Sequence, residues 1–421
     1  MKSLSNMICH LCKLVWTSIL GLLLGLLWLS VAQAGPAVDR LLATPASALW
    51  LQQSVSKAMV KNPRVAMVPA STVKILTALM SLQYWGAEHR FSTEFWFDGQ
   101  RKVLFIRGLG DPFLTSEEIA YIATQLAQAG IHEIAKIATD GRYFSEDIDI
   151  DGWDGSNNPY TAVNGALAAN FNSIALNVTA VGTKSDEQQT PLTAIGRKLA
   201  TQVAAGRHRL PLTTADQGAH YFAEILREKL RAAEVNGDMA IESAAVSPAS
   251  QLSYRHESRH TLQQVVMAML KYSNNFIANQ LFLMLSLSDG QGEISTTAAQ
   301  TAYQHYIQQH FQWRGAVIID GAGLSRQNRL SVNQLADVLQ AFRPYRQLLP
   351  AQSAEIMAKS GTLQGVMSYA GYLFRSDAWQ PFAFIINTAM PYKQRKAIAT
   401  ELSQGDFDVT QFKVELISAQ D

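Results

Sequence analysis

Residues 69–79 read Pro69-Ala70-Ser71-Thr72-Val73-Lys74-Ile75-Leu76-Thr77-Ala78-Leu79, a serine at the start of an apolar helix with a lysine one turn later. Positions i and i+3 share a helix face, so this spacing lays the Lys74 ammonium beside the Ser71 hydroxyl. A serine hydroxyl is a weak nucleophile until a base takes its proton, and a lysine of lowered pKa can be that base. Free backbone N–H groups at the helix N-terminus suit an oxyanion formed in acyl transfer. Leu76, Leu79 and Met80 bury the helix. The stretch predicts a serine acyl-enzyme hydrolase.

Ser-x-x-Lys alone arises by accident about once or twice in a chain this long, and a helix-capping serine beside a surface lysine reads the same way. A second copy, Ser54-Val55-Ser56-Lys57, lies in a segment that alternates like a strand. In a strand, residues three apart point to opposite faces, which separates Ser54 from Lys57. The reading of Ser71 therefore needs partners from elsewhere.

The chain has 421 residues, 48% hydrophobic and 16% charged, enough for two or three domains around substantial cores. Residues 1–34 read as an export signal: Lys2 and Lys13, an apolar run from Leu14 to Leu29, then Ala32-Gln33-Ala34 before Gly35-Pro36. The alternative is an uncleaved anchor, which leaves the protein in loose membrane association. Without residues 1–34 there are 33 basic against 34 acidic residues, a net charge of −1 in place of +1, and nothing points to a nucleic-acid partner. Both cysteines, Cys9 and Cys12, fall in that leader. The remainder has no thiol for a disulfide or cysteine metal site, which is compatible with an oxidising compartment such as the periplasm.

Along the chain, Ala48–Met67 predicts two short strands around a turn near Asn62-Pro63. A hairpin follows, Phe91–Trp96 and Lys102–Arg107 about Asp98-Gly99. Thr115-Ser116-Glu117-Glu118 opens an amphipathic helix, and Ile134–Thr139 and Phe171–Val178 read as strands. Residues 150–165 form a polar loop without the ligand spacing of a calcium site, bordering a cleft. Thr183–Arg207 has no decisive pattern. Phe222–Ala233 is a helix. Helices Thr261–Leu270 and Phe276–Leu285 flank Ser273-Asn274-Asn275, a polar triplet that either faces a cleft or caps the two helices. Another Ser-x-Asn, Ser156-Asn157-Asn158, sits in a loop with no helical scaffold. Val317-Ile318-Ile319 reads as a short buried strand. Lys359-Ser360-Gly361 at a strand end offers a cation, a hydroxyl and a residue with no side chain, suited to a substrate carboxylate and a closely approaching backbone; a surface turn is the alternative.

The ordered set S-x-x-K, S-x-N, K-[ST]-G is that of penicillin-binding proteins and serine β-lactamases. The segments MVPASTVKILTAL, RGLGDPFLTSEEI, LKYSNNFIANQLF, DGAGLSRQNRLS and MAKSGTLQGVMSYAGYL carry it further. Together they resemble the D-alanyl-D-alanine carboxypeptidase/endopeptidase family, the class C low-molecular-weight penicillin-binding proteins. The resemblance implies a mixed α/β fold: a β-lactamase/transpeptidase-like domain, an antiparallel sheet flanked by helices, split by an inserted α+β domain. The implied units are 35–90 and 256–421 for the split domain and 91–255 for the insertion. Residues 179–215 are too short for the family's nested third domain.

It further implies Ser71 as nucleophile and Lys74 as its base, with Ser273 and Asn275 relaying protons and holding the peptide. Lys359, Ser360 and Thr362 would bind the terminal carboxylate and help orient Ser273, Gly361 would belong to the same substrate-binding set, and the Ser71 and Thr362 N–H groups would form the oxyanion hole. The implied substrate is a peptidoglycan stem peptide ending in D-Ala-D-Ala or a cross-link, with β-lactams as covalent inhibitors and no metal or cofactor. A β-lactamase and a non-catalytic wall-binding homologue are the alternatives; the long insertion disfavours the first, and the complete set of polar side chains the second.

Overall fold

The computed structural model describes residues 37–146, 148–152, 156, 158–289, 292, 294–405 and 413–418. The leader, its cysteines and part of the Ser156-Asn157-Asn158 copy lie outside them. In chain order the strands are β1 (Ser47–Ser54), β2 (Lys57–Lys61), β3 (Ser92–Asp98), β4 (Val103–Gly108) and β5 (Lys136–Asp140). Then come β6 (Ser173–Thr179), β7 (Gly182–Ser185), β8 (Gly206–Pro211), β9 (Ala240–Ser243) and β10 (Gln251–Glu257). The last are β11 (Ala351–Ser353), β12 (Ile356–Leu363), β13 (Val366–Arg375), β14 (Ala378–Ile386) and β15 (Glu415–Ser418).

One sheet joins both ends of the chain in the order β11-β12-β13-β14-β1-β2-β15. Every pairing in it is antiparallel, with Leu49 opposite Phe384 and Lys359 opposite Ala370. Side chains alternate across a strand, and both faces are covered. Leu49, Leu51, Met367, Tyr369 and Phe384 pack under helices Ala37–Ala43 and Lys393–Gln404. Ala48, Trp50, Ala370, Tyr372 and Ile385 face the opposite core, which holds helix Val73–Trp85. That helix is buried on all sides from Val73 to Leu82, which is why its sequence is apolar all round.

Residues 91–257 build a five-stranded mixed sheet, β10-β3-β4-β5-β9, and a three-stranded antiparallel sheet, β7-β6-β8. Phe95, Ile106, Ile119, Ile137, Leu176, Phe222 and Leu226 form a core of their own here. The antiparallel sheet between helices, with the two smaller sheets beside it, is the architecture expected.

Several expectations shift. The first hairpin turns at Val55-Ser56, not near Asn62-Pro63, so Ser54 and Lys57 are not on opposite faces of one strand. They are an exposed cross-strand pair closing the turn. Val317–Ile319 contributes only an isolated bridge, Val317 to Arg329, and Val317 is exposed. The helix begun at Phe222 in the sequence starts at Ala215, where Thr214 accepts from the Gln217 N–H; its polar first turns hid it. Thr183–Arg207 contains β7, helix Ala194–Ala200 and the start of β8.

Glu118 ties the smaller core to the strand leading back to the larger one. Its fully buried carboxylate meets His256 Nε2 at 3.0 Å and accepts from Arg259 Nε at 2.6 Å. Burial pushes its pKa up, but the hydrogen bonds from His256 and Arg259 more than offset this and hold it at about 2. A pKa below the ordinary 4.5 gives stability that is complete above that value and lost as pH falls toward about 2. Glu118→Gln should cost about 3 kcal/mol in urea unfolding at pH 7, since it breaks a buried charge network. The gap from wild type should close below pH 4.

Candidate active site

Ser71 lies in a single 3-10 turn, Ala70–Thr72, that runs into helix Val73–Trp85. Ala70 has a φ of 48°, the left-handed region that non-glycine residues rarely adopt. The turn is fastened from several sides. Asn387 accepts from the Val68 N–H at 2.8 Å and donates to Val68 O at 3.1 Å. Pro69 O accepts from Thr72 Oγ1 at 2.7 Å and from Ser368 Oγ at 2.5 Å.

Two glycines press on it. A Cβ on Gly323, whose φ is +79°, would sit 2.0 Å from Ala70 O. A Cβ on Gly361 would sit 2.9 Å from both Pro69 O and Ser71 N. Neither position admits a side chain, so the 320–328 loop and β12 lie in backbone contact with the serine.

Lys74 is fully buried, and its Nζ has three oxygen neighbours: Ser71 Oγ at 2.9 Å, Asn275 Oδ1 at 2.7 Å and Ala322 O at 2.6 Å. The last two only accept. A neutral amine has two N–H bonds and one lone pair, so donating to Asn275 and Ala322 aims the lone pair at the Ser71 hydroxyl. Burial lowers the Lys74 pKa well below the usual lysine range, and the nearby Lys359 charge lowers it further, against an opposing pull from Asp320. The geometry and the electrostatics favour the same protonation state. That state is a base.

The Ser273–Asn275 triplet serves both roles read from it. Ser273 closes helix Leu262–Tyr272 in a left-handed conformation, its N–H donating to Met269 O. Asn274 caps helix Asn275–Met284 by accepting from the Ile277 N–H at 3.0 Å. Asn275 is thereby turned onto Lys74, and its Nδ2 donates to Tyr160 O at 3.3 Å. Ser273 makes no side-chain hydrogen bond among the described residues. Tyr160 belongs to the 150–165 loop, which leans on the 320–328 loop through Asp151, accepting from Ser325 Oγ and Gln327 Nε2. A cavity of about 640 Å³ opens beside Asn275, lined in part by Tyr160, Asn164, Asn279 and Leu324.

Lys359 and Ser360 lie within β12, not at its end. Lys359 is buried, donates to Ser360 O at 2.6 Å, and is pushed down to about 7 by burial and by the Arg395 charge. β11 pairs only with Ile356 and Met357, and the Ala358 N–H donates to Pro350 O, which leaves β12 from Lys359 onward as a sheet edge. Such an edge can accept an extended peptide as an added strand.

Two residues with no role in the sequence reading belong to the site. Asp320, inside the quoted DGAGLSRQNRLS segment, is fully buried. It accepts from the Ala322, Leu324 and Ser325 N–H groups and from Asn328 Nδ2, shaping the loop that presents Ala322 O to Lys74. Arg395, on helix Lys393–Gln404, donates through Nη2 to Gly361 O at 3.1 Å and to Thr362 Oγ1. Nothing in the sequence around Arg395 marks it.

The profile of the D-Ala-D-Ala carboxypeptidase 3 (S13) family matches residues 53–209 and 202–354. The chain belongs to this family. It is thereby a serine-type D-Ala-D-Ala carboxypeptidase, as the sequence resemblance anticipated. The match includes Ser71, Lys74, Ser273 and Asn275 and stops short of Lys359. The chain is 22% identical to a D-alanyl-D-alanine carboxypeptidase of an Actinomadura species, over 80% of this chain and 77% of that one. It is 24% identical to the D-alanyl-D-alanine carboxypeptidase DacB of Haemophilus influenzae, over 74% and 78%. The crystal structure of penicillin-binding protein 4 from H. influenzae superposes with a TM-score of 0.69 at 18% identity, covering 88% of this chain and 98% of that one. Its complex with a β-lactam gives a TM-score of 0.65 at 17% identity, with the same coverage.

Gly323→Ala tests the packing against Ser71. Its Cβ must displace Ala70 and Ser71, and a shift near 1 Å in a reacting group costs about a hundredfold in rate. The variant should remain folded by circular dichroism while acylation by a labelled penicillin slows by that order.

Proposed function

We propose that Ser71 is the nucleophile of a D-Ala-D-Ala carboxypeptidase/endopeptidase and that neutral Lys74 takes its proton. The carrying observation is the Lys74 amine, held by two obligatory acceptors with its remaining lone pair toward Ser71 Oγ. In this reading the stem peptide adds to the free edge of β12. Its terminal carboxylate meets Lys359, Ser360 and Thr362, and Gly361 lets its backbone approach.

Ser71 Oγ attacks the penultimate D-Ala carbonyl. The Ser71 and Thr362 N–H groups stabilise the oxyanion. The proton held by Lys74 passes by way of Ser273 to the departing D-Ala amine, and Asn275 holds both Lys74 and the peptide. Water then hydrolyses the ester on Ser71, with Lys74 again taking the proton. A β-lactam forms the same ester and blocks the site; the β-lactam complex of the H. influenzae relative supports this.

The separate core of residues 95–241 supports reading 91–255 as an inserted domain between 35–90 and 256–421, with the nested third domain reduced to β6–β8 and helix Ala194–Ala200. Among the described residues no helix is long and apolar enough to cross a membrane. We place the protein in the periplasm on the strength of its leader, with an uncleaved leader giving loose membrane association.

Labelled penicillin should attach covalently to Ser71, as read by mass spectrometry of the peptide. Ser71→Ala should abolish labelling and Ser54→Ala should leave it intact; labelling that survives Ser71→Ala refutes the assignment. Rapid release of hydrolysed penicillin would instead indicate a β-lactamase, and no turnover of D-Ala-D-Ala peptides a wall-binding protein. The pH dependence has a defined sign. Lys359 is charged below its pKa of about 7, so KM for a carboxylate-terminated peptide should rise about tenfold per pH unit above that value.

A further inference from the structure

Arg395 reaches the strand edge from the opposite side of the sheet to Ser71's helix. Its helix, Lys393–Gln404, packs on the β13 face through Ile398, Ala399 and Leu402. Its guanidinium lies over the Tyr369 ring, 5.9 Å from the centroid. Nη2 donates to Gly361 O at 3.1 Å and to Thr362 Oγ1. Among the described residues no carboxylate lies within ion-pair distance of it, and the buried Nε has no hydrogen-bond partner. A half-buried cation without a counter-anion is costly unless an anion arrives. Lys359, beside it on β12, also lacks one. The two cations flank the residues assigned to a carboxylate.

A hydroxyl has one proton and two lone pairs. Thr362 Oγ1 accepts from Arg395, which leaves its proton free to be donated outward. We propose that Arg395 is a positioning residue of the carboxylate subsite: it orients the Thr362 hydroxyl as a donor toward the substrate's terminal carboxylate, and that carboxylate is its missing counter-anion. This deepens the function proposed above and rests on it.

The groups bearing on Lys359 are Arg395, which opposes its charge, and Lys74, whose own pKa Lys359 lowers. Removing Arg395 therefore raises the Lys359 pKa. The pH above which carboxylate binding fails moves upward, even as binding at its best pH weakens. Loss of a merely structural residue would not produce that pairing.

The test compares acylation by benzylpenicillin and by its methyl ester, in which the carboxylate is masked. The wild-type protein should prefer the acid. Arg395→Ala should cut the acid-to-ester rate ratio by about tenfold or more, the scale of one charge-assisted hydrogen bond, because the acid slows far more than the ester. Thr362→Val should show the same loss, and the double variant little more than either. The basic limb of the acid's pH profile should shift up in Arg395→Ala.

Equal slowing of acid and ester, an unchanged ratio, or full additivity with Thr362→Val overturns the proposal. Arg395→Met keeps the apolar stem on Tyr369 and serves if the alanine variant does not fold; failure of both to fold assigns Arg395 to the fold and refutes the role. Absence of any acylation of wild-type Ser71 would instead sink the underlying function. The two failures are distinguishable.

Discussion

A buried amine that cannot afford a full positive charge governs the site. Moving an ammonium into a low-dielectric interior is so unfavourable that proteins shift the pKa and bury the neutral form instead. Lys74 has no exposed surface, and the Lys359 cation nearby adds to the penalty. Asp320 opposes them, but its carboxylate is occupied by three backbone N–H groups and Asn328 and does not touch the amine. The Lys74 amine, its pKa lowered, is held in one orientation by Asn275 and Ala322, and in the neutral form its lone pair faces Ser71 Oγ. Burial and acceptor geometry together set the Lys74 amine against the Ser71 hydroxyl.

That arrangement needs three remote segments at one point, and the sheet supplies the means. β1 and β2 come from the start of the described chain, β11 to β15 from its end, and β14 pairs with β1. The closure puts Ser368 and Asn387 within reach of the turn at Val68–Pro69 and sets Gly361 against Ser71 N. Residues 91–257 leave and return while holding a core of their own, and lend Phe91, Phe144 and Ala166 to the larger one. The two parts meet through Tyr160 O on Asn275, Asp151 on the 320–328 loop and Glu118 on Arg259, and through Asn164, Gly110 and Gly165 on Gln280, with Phe144 and Ala166 packed into the larger core.

The readings that succeeded and failed divide along physical lines. The hairpin about Asp98-Gly99 was legible because turn chemistry and alternation agree over a dozen residues, and β3 pairs β4 as expected. The turn at Val55-Ser56 has neither glycine nor proline, so Asn62-Pro63 drew the boundary away from it. Val317-Ile318-Ile319 has strand composition without a strand partner beyond Arg329, and composition cannot supply a neighbour. The triplet Ser273-Asn274-Asn275 was read as either functional or a cap, and the residues share the two tasks. Asp320 and Arg395 were passed over because a buried loop-capping carboxylate and a surface-like helical arginine look ordinary in one dimension.

The sequence alone determined the order and chemical types of the reacting groups, since a serine, two lysines and an amide at those spacings carry the same chemistry in any fold that unites them. It also determined the alternation that buries both faces of the main sheet, because that period is local. Tertiary structure decided which serine of two Ser-x-x-Lys copies has its lysine beside it, that both Lys74 and Lys359 are buried with lowered pKa values, and that Arg395 meets Thr362. Those outcomes depend on burial and on distances between segments hundreds of residues apart, and neither quantity exists until the chain has closed on itself.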